Sequence, residues 1–537
     1  MHIRNKDPDS DSNILELAAL TGQPATMAAP TVQYSGASDV SPAVPLVGAV
    51  LRSQRFAYLI LGVTLLTALP FGWFAYNSGF GYDALEYLII GRSLHDGFGF
   101  YDFVPSKSPG IYLVVAGLIG MGLDLGHAQL ATTIAAIYAA TVFFTFWALK
   151  KVTDAWTAAI GCLLVALCAW FMELGFLQPT AFIYLFGLAG YLQCVRALDT
   201  RDRVRSWFWC GFWIAIAMQF KTVAAFYGAA ALVALLLWSG RKDRLVAMAS
   251  LATGALLPTL AVWLFFAVTG RGADYLQWTF LFPLFEYPAN TDYIAKLYTK
   301  LLFFVVLFVV TTLYSLHPAI RAQIWRSNAM RTAFLFGALS TAALLKTQAS
   351  HYFYPAATFL CFVAARVLAI AFETTLTKHP WRALTFAAVA MTLLGASVWL
   401  YQPAAVARLF TLRDYSHEER LRAYVERYTK PSQRIIAIRN STNVYWLTHR
   451  YPNIPLISMD VQSTRYLELH GGVFDAALKD PNLACVEIEP NNPELEDSRL
   501  LQSPLARKQM DSLARGVARE FVKKPQPPPG FVFWCRK

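Results

Sequence analysis

The chain has 537 residues, of which 56% are hydrophobic and 15% are charged, and its mean hydropathy is +0.41. Soluble globular proteins carry about 25% charged residues. Apolar runs of about 20 residues, the length that spans a bilayer, recur here between positions 56 and 402. The composition therefore excludes a soluble globular protein. The net charge of +12 does not indicate nucleic acid as a partner, because Lys and Arg lie in short loops between apolar runs.

Residues 1–50 are rich in Ala, Pro, Ser and Gln and lack apolar periodicity, which predicts a disordered cytoplasmic N-terminal extension. This segment does not resemble a signal peptide. The first apolar run begins at Phe56 behind Arg52 and Arg55, is long enough to span, and has no obvious cleavage site. A transmembrane domain is predicted to occupy residues 51–405.

The basic loops determine the predicted topology, because Lys and Arg collect on the cytoplasmic side of a membrane. One arrangement places five successive basic loops on that side. It has about eleven spans, a cytoplasmic N-terminus and an extracytoplasmic C-terminus. The spans are 56–76, 128–149, 155–172, 179–197, 206–220, 222–239, 246–268, 297–315, 332–346, 352–371 and 383–402. The short run at 109–123 is read as a re-entrant or juxtamembrane helix on the outer side, and 269–296 as a long outer loop. This predicts a multi-pass protein integral to the plasma (inner) membrane, in contact with membrane lipid.

Charges become frequent in the tail, residues 410–537, which predicts a small extracytoplasmic (periplasmic) α/β domain. Helical spacing extends from Asp414 to Tyr428. Strand-like runs lie at 434–439, 484–489 and 531–534. Cys485 and Cys535 belong to this tail, and the sequence leaves open whether they pair, which requires an oxidising compartment. The predicted fold class is thus a mainly α, polytopic membrane protein with a C-terminal α/β domain.

The predicted topology collects ionisable and aromatic residues on the outer face. They include Asp83, Glu86, Lys107, Lys221, Lys346, Tyr82, Tyr101, His351 and Tyr352. Lys221 and Lys346 depart from the charge rule, so they either snorkel to lipid phosphates or are retained for function. Cations can bind the phosphate of a leaving group, and a carboxylate beside them can act as the base for an acceptor hydroxyl. The aromatic rings fit sugar stacking or an interfacial belt, so residue types alone do not separate an enzyme from a transporter or channel.

The first outer loop, residues 77–108, carries an ordered set of short motifs. They are Gly81-Tyr82-Asp83-Ala84-Leu85-Glu86-Tyr87, Gly91-Arg92-Ser93-Leu94-His95-Asp96-Gly97, Tyr101-Asp102 and Lys107-Ser108-Pro109. This order resembles GT-C glycosyltransferases of the protein O-mannosyltransferase and lipid A aminoarabinose transferase type. Further stretches similar to that family are Gln219-Phe220-Lys221-Thr222, His351-Tyr352-Phe353-Tyr354-Pro355 and Arg434-Ile435-Ile436. The resemblance covers nearly all of the chain beyond residue 50.

The resemblance implies an inverting glycosyltransferase that takes a sugar from a polyprenyl-phosphate donor. The acceptor would be a hydroxyl of an envelope lipid, glycan or protein. Carried over by position, Asp83 would be the catalytic base, with Glu86 about one helical turn away on the same face. The resemblance places Lys107, Lys221 and Lys346 at the donor phosphate, and Tyr82, Tyr101, His351 and Tyr352 around the substrate.

Two departures from the family leave part of this open. Ala84 follows Asp83 where members often have a second acid, and Gln178 precedes Pro179 where some have Asp. The acceptor class and a divalent metal stay undecided, and no cofactor is firmly predicted. The main alternative is a transporter or flippase for a lipid-linked or anionic solute. That class is typified by inverted repeats and helices broken at mid-membrane, a symmetry we do not find in this sequence.

Overall fold

The structure is a computed structural model of the protein. It describes residues 53–171, 176–200, 203–240, 243–287, 304–305, 307–309, 311–345, 350–378, 403–438, 442–458, 461–488 and 503–537. Three predicted features lie outside these residues, namely the N-terminal extension at 1–50, the last span at 383–402, and Lys346. The predicted span at 297–315 is described only in part.

The N-terminal three quarters of the described chain are helical. The helices of this part are α1 Gln54–Leu66, α2 Ala68–Ser78, α3 Tyr82–His95, α4 Gly110–Gly120, α5 His127–Val152, α6 Ala155–Phe171, α7 Pro179–Asp199, α8 Arg203–Met218, α9 Ala225–Trp238, α10 Arg244–Val268, α11 Gly272–Leu276, α12 Pro318–Arg326, α13 Asn328–Ser340 and α14 Ser350–Lys378. Short 3₁₀ segments join some of them, at Phe100–Asp102, Thr222–Ala224 and Thr341–Leu345, and a π-helix covers Gln277–Glu286.

Within the described chain, five helical segments are long and apolar enough to cross a membrane. They are Gln54–Ser78, His127–Val152, Pro179–Asp199, Arg244–Val268 and Tyr352–Glu373. Shorter apolar helices lie at Gly110–Gly120, Ala155–Trp170 and Thr222–Trp238. These segments confirm an integral, multi-helical membrane protein. The count of eleven spans and their orientation stay predictions.

Helices α8 and α10 pack closely because glycine faces backbone at their crossing. A Cβ atom on Gly211 would lie 2.1 Å from the carbonyl oxygen of Leu251, and one on Gly254 would lie 2.0 Å from that of Phe208. Small residues allow such close approach between membrane helices, where packing rather than water exclusion drives association. This contact fixes the middle of α8, whose C-terminal end leads through Gln219 and Phe220 to Lys221.

Two features bear on the predicted topology. Helix α4 has 11 residues, about 16 Å at 1.5 Å per residue, against a hydrocarbon core of about 30 Å. The interpretation of 109–123 as a helix that does not cross stays a prediction. Within the predicted connection at 269–296, α11 and the π-helix occupy Gly272–Glu286.

The described tail combines helices with one small sheet. Its elements are α15 Pro403–Phe410, α16 Ser416–Tyr428, β1 Arg434–Ala437, α17 Thr442–Thr448, α18 Val461–Leu469, α19 Val473–Lys479, β2 Leu483–Glu487, α20 Pro504–Glu520, β3 Phe521–Lys523 and β4 Phe533–Arg536. The strand order is β1-β2-β4-β3, with β1 parallel to β2 and the other pairs antiparallel. Each predicted strand is present with boundaries that differ by at most two residues. Strand β3 was not predicted.

Cys485 and Cys535 are cross-strand neighbours on β2 and β4 and are joined by a disulfide. The other five of the seven cysteines are free and buried. Alkylation of denatured but unreduced protein is therefore expected to label five cysteines, and prior reduction should raise the number to seven. In a Cys535→Ser variant all six remaining cysteines should react without reduction. Labelling of seven in the unreduced wild type, measured by intact mass, would show that the pair is not formed.

Candidate active site

Helix α3 carries Asp83 close to its N-terminus. The helix begins at Tyr82 after Gly81, so Asp83 lies in its first turn, where the helix dipole favours negative charge. The Nζ atom of Lys107, in the loop before α4, lies 3.8 Å from the Oδ2 atom of Asp83. The Asp83 side chain is 29% exposed and that of Lys107 is 13% exposed. The carboxylate is thus paired with a cation and still open to an incoming molecule.

Glu86 holds the loop that carries Lys107. Its Oε1 atom accepts a hydrogen bond from the Ser106 N–H at 2.7 Å and one from the Tyr112 hydroxyl at 2.6 Å. The Lys107 N–H in turn donates to the Tyr112 hydroxyl oxygen at 3.1 Å. Glu86 is only 3% exposed. The sequence grouped Glu86 with Asp83 as catalytic, but this burial and these bonds favour a positioning role.

This role can be tested by comparing two substitutions of Glu86. Glu86→Gln keeps an oxygen that accepts both hydrogen bonds, and we expect it to retain most of the stability and turnover. Glu86→Ala leaves two buried donors unpaired, each costing about 1–3 kcal/mol, and should lower both the thermal unfolding temperature and turnover. If Gln abolished turnover without changing the unfolding temperature, Glu86 would have a direct chemical role instead.

Lys221 is brought to the region of Lys107 by a backbone hydrogen bond between the segments that carry these two lysines. The Gly110 N–H donates to the Gln219 carbonyl oxygen at 2.6 Å. A Cβ atom on Gly110 would lie 2.7 Å from that oxygen, so a larger residue would push the segments apart. Since Gly110 follows Lys107 by three residues and Gln219 precedes Lys221 by two, this contact brings both lysines to one region.

The Lys221 ammonium is buried inside the protein. The residue is 7% exposed, and its Nζ atom lies 3.6 Å from the ring centroid of Tyr352, near the start of α14. Among the described residues, Nζ has no hydrogen-bond acceptor. Burial and the positive charge of Lys107 lower the pKa of Lys221 well below its usual range, and the negative charge of Asp83 opposes this only in part. This placement contradicts snorkelling to lipid, and an ammonium without an acceptor is costly to bury unless an anion joins it.

Lys107 keeps its charge in this setting. Burial lowers the pKa of Lys107, but the negative charge of Asp83, with smaller contributions from Tyr352 and Glu86, raises it further, and the net shift is upward. The Lys107 side chain therefore stays charged throughout the pH range below the ordinary lysine value of about 10.4. Because its pKa is raised in the folded protein, its contribution to stability is lost on the alkaline side, as the pH rises through the elevated pKa. At neutral pH the site presents a fixed positive charge next to Asp83.

Not every predicted residue joins this cluster. Tyr101 is buried, and its ring packs on Phe100 and Phe266 with centroids 4.7 and 5.1 Å away. Its role as a substrate contact stays a prediction. The side chains of Tyr82 and His351, like the whole of Lys346, lie outside the part of the chain that the structure describes.

Two further residues at this site were not selected from the sequence as site residues. Tyr87 lies one turn after Asp83 on α3, and its buried hydroxyl has no hydrogen-bond partner among the described residues. Burial and the nearby Asp83 charge raise the pKa of Tyr87 well above its usual range, so its hydroxyl stays protonated. Gln219, two residues before Lys221, accepts a hydrogen bond from the Tyr275 hydroxyl at 3.0 Å. The i, i+4 spacing from Asp83 was the available signal for Tyr87.

The tail is anchored to the same helix that carries Asp83. The Arg92 guanidinium carbon lies 3.5 Å from the ring centroid of Trp446, and Nη1 donates to the Trp446 carbonyl oxygen at 3.3 Å. The Val104 N–H donates to the Pro455 carbonyl oxygen at 2.7 Å. The tail thus contacts the first outer loop at two points, in the middle on α3 and close to its end before Lys107. Within the described residues, no three His, Cys, Asp or Glu side chains are grouped as metal ligands.

Comparison with solved structures assigns the fold class. The chain superposes on the ArnT protein of Cupriavidus metallidurans in its apo state with a TM-score of 0.59 and 14% identity, covering 89% of this chain and 97% of that one. The form of that protein bound to undecaprenyl phosphate gives 0.58 and 14%, covering 90% and 98%. An apo oligosaccharyltransferase of Archaeoglobus fulgidus gives 0.51 and 14%, covering 84% and 72%. The chain therefore shares the fold of these proteins.

A family comparison points the same way. Residues 106–268 match the family described as dolichyl-phosphate-mannose-protein mannosyltransferase. The matched region contains Lys107 and Lys221 and begins after Asp83. No curated protein matches the chain. The resemblance that the first outer loop predicted, to GT-C enzymes of the protein mannosyltransferase and aminoarabinose transferase type, is confirmed.

Proposed function

We propose that this protein is a membrane glycosyltransferase that moves a sugar from a polyprenyl-phosphate donor to an acceptor hydroxyl on the extracytoplasmic face. One observation carries the proposal. A buried Lys221 ammonium without an acceptor among the described residues lies in electrostatic range of the Lys107–Asp83 pair. In the proposed complex, the donor phosphate supplies the negative charge that Lys221 lacks. The Asp83 carboxylate is then available to the acceptor hydroxyl.

The chemistry follows from these charges. The acceptor oxygen attacks the anomeric carbon from the side opposite the phosphate, and the bond from that carbon to the phosphate oxygen breaks, which inverts the configuration. Asp83 takes the acceptor proton. The electron pair stays on the departing polyprenyl phosphate, where Lys107 and Lys221 neutralise the developing charge. Tyr82, His351 and Tyr352 contact the substrate in this proposal, and Lys346 assists with the phosphate.

Two findings support a lipid-linked donor at an outer surface. A structural neighbour with the same fold was solved bound to undecaprenyl phosphate. The disulfide between Cys485 and Cys535 fits an oxidising, extracytoplasmic compartment for the tail. We therefore keep the topology with eleven spans in the inner membrane, the N-terminus inside and the tail outside. The acceptor is an envelope lipid, glycan or protein.

The test is an assay in detergent solution, where no compartments exist. The purified protein is incubated with a panel of polyprenyl-phosphate sugars and with lipid, glycan and peptide acceptors, and released polyprenyl phosphate is measured by mass spectrometry. We expect release with at least one donor and none with nucleotide sugars. A transporter or flippase gives no turnover under these conditions, so failure with every donor and acceptor would contradict the proposal.

A further inference from the structure

A polar cavity lies between α7 and α8, at the ends of these helices that are remote from Lys221. It has a volume of about 290 Å³ and is lined by Gln193, Arg196, Arg205, Ser206, Trp209 and Trp213. Arg205 and Met218 are thirteen helical steps apart on α8, about 20 Å at 1.5 Å per residue. The cavity is therefore separate from the cluster around Asp83 and lies toward the opposite membrane surface.

The cavity carries two positive charges without matching carboxylates. Arg196 and Arg205 are both exposed, and neither has an ion-pair partner within the described residues. The acids nearest in sequence that the structure describes have other partners. Asp199 accepts a hydrogen bond from the Asn328 amide at 2.6 Å, and Asp243 pairs with Arg203 at 3.3 Å. Two guanidinium groups facing one polar cavity favour an anionic ligand, above all a phosphate.

The aromatic residues that line the cavity help to distinguish the phosphate of a lipid headgroup from a free phosphate ion. Ser206, Trp209 and Trp213 follow one another at i, i+3 and i+7 on α8, so they share one helix face. The ring of Trp213 stacks on Phe186 of α7 with centroids 6.0 Å apart, which continues the apolar wall. Tryptophan is enriched where lipid headgroups meet acyl chains. Basic pockets between membrane helices bind anionic headgroups.

We propose that this cavity binds the headgroup of an anionic phospholipid. The phosphate diester lies between the guanidinium groups of Arg196 and Arg205. Gln193 and Ser206 supply hydrogen bonds to the remaining headgroup oxygens, and the indole rings of Trp209 and Trp213 contact the glycerol and upper acyl chains. A free phosphate ion would use the arginines but not the indoles, so the lining favours the lipid.

The proposal is tested by native mass spectrometry of the full-length protein with phosphatidylglycerol, and with phosphatidylcholine in a parallel series. The Arg196→Gln/Arg205→Gln variant should bind phosphatidylglycerol about 30-fold more weakly, since each basic residue near a lipid surface contributes about a factor of five. The Arg326→Gln variant is the matched control. It removes an exposed arginine of α12 that lies outside the cavity lining, and we expect its lipid affinity to be unchanged.

A second variant separates loss of charge from loss of fold. Arg196→Lys/Arg205→Lys keeps both charges and should retain most of the affinity for phosphatidylglycerol. Equal binding of phosphatidylcholine and phosphatidylglycerol would overturn the proposal, as would unchanged affinity in the Gln pair. Displacement of the lipid by millimolar inorganic phosphate would also overturn it, because the site would then be an ion site and not a lipid site.

Discussion

Asp83→Asn should reduce sugar transfer by about 10²–10⁴-fold, the range that general-base catalysis contributes. Asparagine has nearly the same shape as aspartate, so α3 and its neighbours keep their packing. It has no basic oxygen for the acceptor proton and no charge for the Lys107 ammonium, which lies 3.8 Å from Oδ2. The measurement is the rate of polyprenyl-phosphate release at saturating donor and acceptor, together with the thermal unfolding temperature.

Asp102→Asn is the matched control for this variant. Asp102 lies on the same outer loop, pairs with Arg271 at 3.1 Å and is 39% exposed. Exposed ion pairs contribute little, about 0–1 kcal/mol, and Asp102 is not part of the lysine cluster. We expect near-normal turnover. Full activity in Asp83→Asn would refute the base assignment, and an equal loss in both variants would indicate a general effect of charge on the loop.

The sequence predicted the position of the site better than the roles of its residues. The positive-inside pattern placed Lys107 and Lys221 on one face, and in the structure both lie close to Asp83. Their proximity depends on the backbone bond from Gly110 to Gln219. Nothing in the residue types predicts this bond, because any two backbone groups can form it. Topology therefore restricted the candidates to one surface, and tertiary contacts selected among them.

Glu86 and Tyr101 show why roles were harder to predict. Both were expected to face the substrate, since each lies in the outer loop close to motif residues. Glu86 instead accepts buried hydrogen bonds, and Tyr101 packs in an aromatic cluster. A carboxylate at i+3 on a helix lies on the same side as its neighbour, but spacing does not reveal whether that side is solvated. Whether such a side chain is buried depends on its contacts with segments that are distant in sequence.

The internal structure of segment 272–286 was not predicted. The charge pattern indicated only a long connection between two spans at 269–296. In the structure the segment forms α11 and a π-helix, in which Trp278 and Phe282 are buried. In the tail, apolar periodicity located three strands, but the order β1-β2-β4-β3 depends on pairing, which periodicity does not encode.

Lys221→Met should separate function from stability. Methionine has nearly the same length as lysine and can pack on the Tyr352 ring, but it carries no charge. Because the Lys221 ammonium is buried without an acceptor among the described residues, its removal should leave the unfolding temperature unchanged or raise it. Turnover should fall by about 10²–10³-fold, the usual effect of removing one group that stabilises a developing negative charge. When a functional group destabilises the fold, its removal lowers turnover while the unfolding temperature stays the same or rises.

Lys150→Met is the matched control, because Lys150 also contacts an aromatic ring, that of Tyr58 at 4.7 Å, but lies exposed at the end of α5. We expect it to change neither turnover nor stability by much. Donor affinity gives a further check, since Lys221→Met should weaken binding of polyprenyl phosphate and Lys150→Met should not. If Lys221→Met instead lowered the unfolding temperature and left turnover per folded molecule unchanged, the lysine would be a structural contact of Tyr352, and the donor phosphate would have to bind elsewhere.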